Sequence, residues 1–138
     1  MQTSGLRTVA ARECKMASHT QWQRLLKNDG TEALDGQAAA MSDPSGDTVG
    51  VLCANRRYLT HRVWNTEAAG SFDVDVWVQF ALGERWFKAT AAAVTVNAVS
   101  PTNGAFITFE ARGAIRTYVK CFNFAGGAKA NARISGGD

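Results

Sequence analysis

No stretch of this chain approaches the ~18 consecutive apolar residues of a membrane span, and no membrane partner is expected. Cysteine is sparse. Cys14, Cys53 and Cys121 are odd in number, lie far apart and form no C-x-x-C. That spacing argues against a zinc site and reads as buried free thiols of a protein made in a reducing compartment. The absence of any N-x-S/T acceptor accords with this. Histidine is nearly absent too: a Ser–His–Asp or Cys–His arrangement would have to use His19 or His61. No G-x-S-x-G, H-E-x-x-H, G-x-x-x-x-G-K or G-x-G-x-x-G occurs, and the glycine pairs at 126–127 and 136–137 read as turn and tail. The opening "MQTSGLRTVAARECKM" lacks the apolar centre of a secretory signal. No catalytic residue, metal ligand or cofactor site is expected.

What is present suits one domain with a real core: 138 residues, 46% of them apolar and 20% charged. The chain changes character near residue 50. Before it, large apolar side chains are thin, and residues 1–49 are expected to form an extended N-terminal arm. Within that arm "SHTQWQRLLKNDG" is open to two readings, a short helix capped by Ser18 or Thr20, or a strand ending in an "NDG" turn. "DGQAAAMSDPSGD" (35–47) reads as loop.

Residues 50–138 carry strand-like bursts. The clearest is "SFDVDVWVQF" (71–80), which alternates without a break. Side chains along a strand point to opposite faces with period two, so Phe72, Val74, Val76, Val78 and Phe80 are expected to share a buried face. Asp73, Asp75, Trp77 and Gln79 are expected on the other. "VGVLCA" (49–54), "RWFKAT" (85–90), "AAVTVNAV" (92–99), "AFITFEA" (105–111), "IRTYVKCFNF" (115–124) and "AKANARIS" (128–135) are further strand candidates. "RYLTHRVW" (57–64) is open between strand and helix. Short strands parted by turn signals such as "SPTNG" (100–104) indicate an antiparallel sandwich or barrel. The expectation is an all-β chain, an antiparallel β-sandwich, jelly-roll-like, over 50–138.

Asp73 and Asp75 lie within reach of a general acid–base pair, yet alternating acids are also what any wet sheet face shows. Four tryptophans, Trp22, Trp64, Trp77 and Trp86, are many for this length. Exposed, they suit a subunit contact or, alternatively, the sugar platform of a carbohydrate-binding module. Arg56 and Arg57 open a basic stretch, "NRRYLTHR", suited to phosphate or carboxylate, with a solvated or interfacial strand as the plainer reading for His61. Trp22, Arg56, Arg57, Trp64, Trp77 and Trp86 are therefore the interface candidates. The net charge of +3 is uneven: acids dominate 21–50, while Arg112, Arg116, Lys120, Lys129 and Arg133 face only Glu110 across 105–135. Such asymmetry favours association of copies head to tail, hence a homo-oligomer. Five scattered cations without an accompanying motif are weak grounds for nucleic acid.

The segment "GAFITFEARGAIRTYVKCFNFAGGAKANARIS" (104–135) resembles a pattern of tailed-bacteriophage virion proteins: a strand with a G-x-(Y/I)-x-x-(Y/V)-x-V core, an "F-x-G-G" turn and a terminal strand. Gly113, Ile115, Tyr118, Val119, Phe124, Gly126 and Gly127 carry it, and "KNDGTEALDG" (27–36) is similar to openings of such chains. Lys120 and Cys121 in mid-strand and the long front segment depart from the pattern. The resemblance implies a non-enzymatic structural protein such as a capsid decoration, fibre-base or tail-associated subunit. It would be made in the host cytoplasm, reside in the virion, and bind its own copies and other virion proteins.

Overall fold

The computed structural model describes residues 20–22, 36–53, 56–97 and 104–137, and residues 20–22 by their main chain alone. The described residues form nine strands and no helix: β1 (Thr20–Trp22), β2 (Val51–Leu52), β3 (Tyr58–Asn65), β4 (Ser71–Gln79), β5 (Phe87–Lys88), β6 (Val94–Asn97), β7 (Ala105–Glu110), β8 (Arg116–Ala125) and β9 (Ala130–Gly137). Every pairing is antiparallel. One sheet has the order β1-β9-β3-β7. The other runs β2-β8-β4-β5, with β6 also on β4. The pairs are nested: β1 with β9, β2 with β8, β3 with β7, and β4 with β5 and β6. The chain is thus one long hairpin wound so that successive arms fall in alternate sheets.

Period-two patterning explains which faces meet. Leu59, His61 and Val63 of β3 and Ala130, Ala132 and Ile134 of β9 point inward from the first sheet. Phe72, Val74, Val76 and Val78 of β4 and Thr117, Val119 and Cys121 of β8 point inward from the second, and most of these side chains form one core. "RYLTHRVW" is therefore a strand. Its His61 is fully buried between the sheets rather than solvated or interfacial. The inward face of β4 stops one residue earlier than its alternation suggests. Phe80 lies past the strand end, is 39% exposed and meets Phe87 edge to face at 5.8 Å.

One residue corrects the parity of β8. Between Asp73↔Phe122 and Ser71↔Ala125 the register slips, and Asn123 sits at φ 55°. Asparagine tolerates this left-handed conformation better than other side-chain-bearing residues. The extra residue keeps Phe124 inward, stacked on Phe72 at 5.2 Å, and leaves Asn123 outward, donating to Asp73 Oδ2 at 2.9 Å.

Part of the segment 1–49 is bonded into this framework. Thr20–Trp22 pairs with Gly136–Ile134 on the edge of β9. Residues 36–50 form a strap along β8. Gln37 exchanges two 2.8 Å main-chain bonds with Ala130, and Met41 N donates to Cys121 O at 2.9 Å. Tyr118 Oη donates to Ser42 O at 3.1 Å, Lys120 Nζ meets Asp43 Oδ1 at 2.7 Å, and Arg116 Nη1 donates to Val49 O at 3.3 Å. Gly50 turns the strap into β2 at φ 77°, where a Cβ would stand 2.5 Å from Thr117 O. The helix-or-strand alternative is settled as strand for 20–22 only; the rest of that stretch lies outside the described residues.

Candidate functional site

The outward face of the second sheet holds the carboxylates that alternation sets beside Trp77. They differ in burial: Asp73 is half-buried and Asp75 is closed off. Asp75 is 5% exposed; its Oδ1 accepts from Thr90 Oγ1 at 3.2 Å, and Lys88 Nζ stands 3.7 Å from Oδ2. The same Thr90 hydroxyl oxygen accepts from Val76 N at 3.2 Å. Asp73 accepts from Thr95 Oγ1 at 2.8 Å and from Asn123 Nδ2. Each carboxylate is bound separately into the sheet, and no partner is shared between them. A general acid–base pair needs two groups coupled across a cleft, which this arrangement lacks.

Beside them runs an open groove of about 480 Å³ lined by Asp43, Pro44 and Gly46 of the strap, Glu84 and Arg85 of the β4–β5 loop, and Trp77 and Trp86. Asp47 holds the loop, its Oδ1 accepting from Gln79 Nε2 at 2.8 Å and Gly83 N at 2.9 Å. These bonds hold the Asp47 carboxyl below its ordinary value, the Gly83 main-chain bond most of all. Trp77 is half-buried, with Lys88 Nζ 5.5 Å from its ring centre. Trp86 is a packing residue: 7% exposed, it donates from Nε1 to Gly46 O at 3.0 Å and meets Tyr118 edge to face at 6.2 Å. Burial pushes the Tyr118 hydroxyl up to about 12, so it stays a donor to the strap.

His61, the described histidine, is out of reach of any substrate. Its Nε2 lies 2.7 Å from Thr117 Oγ1, and Thr117 Oγ1 donates to Trp77 O at 3.2 Å. The Thr117 hydroxyl thus links the ring to the main chain of β4. Burial lowers the His61 pKa to about 3, so the ring is neutral, stacked on Phe109 at 5.5 Å. Cys53 and Cys121 are buried free thiols: Cys53 Sγ donates to Ala114 O at 3.2 Å, and burial pushes the Cys121 thiol up. His19 and Cys14 lie outside the described residues.

The outward face of the first sheet has a different character. Register sets it out in rows across β9, β3 and β7: Gly137, Tyr58 and Glu110; Ser135, Thr60 and Thr108; Arg133, Arg62 and Phe106; Asn131 and Trp64. Phe106 is 64% exposed. The Arg62 guanidinium lies 5.4 Å from the Trp64 ring centre and 5.8 Å from that of Phe106. Arg57 covers Tyr58 at 5.0 Å and stands 3.8 Å from Glu110. At the open side of the sandwich, Val78, Phe80 and Phe87 face Phe109 and Ala111 across a cleft of about 340 Å³. Leu82, 71% exposed, belongs to the same β4–β5 connection.

The interface candidates therefore do not form one patch. Trp64 and Arg57 belong to the first sheet's outward face, with Arg56 next to Arg57 at its border, and Trp77 and Trp86 lie on the opposite side of the molecule. Trp22 sits on β1 opposite Ile134, and its side chain lies outside the described residues. Sequence reasoning missed Tyr58, Arg62 and Phe106. The signal was there: read as a strand, "RYLTHRVW" puts Tyr58, Thr60, Arg62 and Trp64 on one side. Comparison with protein families, with curated proteins and with solved structures finds no match to this chain.

Proposed function

We propose that this chain is a non-enzymatic structural protein of a bacteriophage virion that acts by self-association and by binding neighbouring capsid or tail subunits. The nested pairing of the strands supports a jelly-roll reading, an architecture found in viral capsid and lectin domains. Fold alone carries no function. The observation that carries the reading is the apolar edge: Phe80 and Phe87 are part-exposed on a largely apolar cleft of about 340 Å³, and Leu82 is exposed in the connection between them. Apolar surface gathered beside an open sheet edge favours a neighbouring subunit, which would bury it. Asp73 and Asp75 are meanwhile bound into the outward face of the second sheet, and His61 is buried between the sheets. The test is the solution mass of the full chain, by light scattering, across a concentration series, together with Leu82→Asp and Phe87→Asp. Assembly that both variants abolish, with the far-ultraviolet spectrum unchanged, supports the reading. A full chain that stays monomeric at every concentration and co-purifies with no particle overturns it.

A second reading, a carbohydrate-binding module, is favoured by the groove that brings Trp77 beside Asp43, Glu84 and Arg85. It expects a glycan array to show binding that Trp77→Ala removes while the solution mass stays unchanged.

A further inference from the structure

We propose that the outward face of the first sheet binds single-stranded nucleic acid, with bases stacked on Phe106 and Trp64 and phosphates met by Arg62 and Arg57. The inference deepens the virion reading, on which it rests for its biological setting, by naming a partner for a surface that the assembly edge does not use. Three observations combine. Exposed Phe106 and half-buried Trp64 stand on neighbouring strands: Phe106 is directly opposite Arg62, and Trp64 is two residues further along β3. Diagonal neighbours of this kind are ~7–8 Å apart, within the span of consecutive unstacked bases. Cations are interleaved with the rings: Arg62 lies against both, Arg57 against Tyr58, and Arg133 is opposite Arg62 on β9. Against them the face carries, among the described residues, the single carboxylate of Glu110, which Arg57 and Arg112 share at 3.8 and 4.0 Å. The row between is of hydroxyls, Ser135, Thr60 and Thr108, able to donate to phosphate or sugar oxygens.

Arginines with stacking rings on an open sheet match the chemistry of an unpaired strand: a polyanion whose bases each offer a π-face. A duplex hides those faces and offers only its phosphates. A second copy of this chain would need an acidic surface to match. Among the described residues the far side of the molecule mixes Asp43, Asp47, Asp73, Asp75 and Glu84 with Arg85, Lys88, Arg116 and Lys120, so no surface of one sign stands there to match. In the sequence the cations and rings at 57, 62, 64, 106 and 133 are scattered; the pairing of β7 and β9 with β3 gathers them.

The test is fluorescence anisotropy of a labelled oligothymidylate of roughly 20 nucleotides and a duplex of equal length, titrated with the full chain at about 50 and 200 mM salt. The single strand is expected to bind tighter than the duplex. Phe106→Ala should weaken it at least about fivefold, and Phe106→Tyr should restore it. Arg62→Gln should weaken it and flatten the logarithmic salt dependence by about 0.7, the share of one phosphate contact on a single strand. Circular dichroism verifies that each variant is folded. Equal affinity for duplex, absence of binding at the lower salt, or binding indifferent to both substitutions overturns the proposal. A change of solution mass in Phe106→Ala without a change in oligonucleotide affinity overturns it as well and makes this face a contact between copies. If oligonucleotide binding fails while Leu82→Asp and Phe87→Asp still abolish assembly, the virion reading stands without this partner.

Discussion

Asp75 shows at the scale of one residue how alternation can be read correctly and its consequence missed. It is on the outward face of β4, as period two requires, yet the strand β5 and Thr90 close over it. Asp75→Ala leaves the Thr90 hydroxyl without its acceptor and Lys88 without its counter-charge. The expected loss is about 1–3 kcal/mol, measured by urea unfolding. A loss below the error of that experiment would return the carboxylate to a wet surface. Val76, its inward neighbour, is fully buried, and Val76→Asp should prevent folding, because an unpaired charge would stand between the sheets. His61 sets a pH dependence. Its folded pKa, near 3, lies below the ordinary value of 6.5, so the unfolded chain binds more protons between those two values. The stability it contributes is complete above pH 6.5 and is lost as pH falls from there toward 3. The slope approaches about 1.4 kcal/mol per pH unit. His61→Leu should flatten that slope in denaturation midpoints measured from pH 7 to pH 4; an unchanged slope would assign it to other groups.

At the scale of elements, the bulge in β8 and the strap are the two devices that period two does not announce. The bulge lets one strand serve two registers. Without it Phe124 would point outward and its stack on Phe72 would be lost. Asn123→Val removes both the tolerance for positive φ and the bond to Asp73, with an expected cost of about 1–2 kcal/mol from the backbone alone. Asn123→Gly should cost less, since glycine adopts this conformation freely. Both variants lose the bond to Asp73, so thermal melts of the two compare the backbone alone, and the reverse order would mean that positive φ at this position is not what limits stability. The strap does for β8 what a further long strand would do. It covers the Tyr118 and Trp86 rings, and its polar sequence "MSDPSGDTVG" is bonded at Met41, Ser42, Asp43, Gly46, Asp47 and Val49.

At the scale of the whole molecule the two outward faces have separate chemistry. The first sheet presents rings and arginines. The second is covered by the strap and the β4–β5 connection, with Trp77 half-buried at the groove. Trp77→Ala should therefore reduce stability through lost packing against the core, Tyr118 and Lys88, without changing the mass of an assembly held by the Phe80–Phe87 edge. Light scattering beside a thermal melt separates the two effects. A lost assembly with an unchanged melt would move the contact to the groove.

The sequence by itself determined the local facts. Alternation in 71–79, 105–110 and 116–122 defined strands and their inner faces, and the glycine signals at Gly83, Gly113 and Gly126–Gly127 placed turns, because both are set by a residue and its immediate neighbours. "SPTNG" (100–104) lies almost wholly outside the described residues. "RYLTHRVW" stayed ambiguous, because short apolar runs fit both periods, and its pairing between β7 and β9 resolved it. Burial of Asp75 and Trp86, the bulge that turns Phe124 inward, and the gathering of Arg62, Trp64 and Phe106 on one face were decided only by the tertiary structure. Each depends on what another strand, distant in the chain, lays beside the residue. Period two states which of two sides a side chain takes, and says nothing of what covers that side.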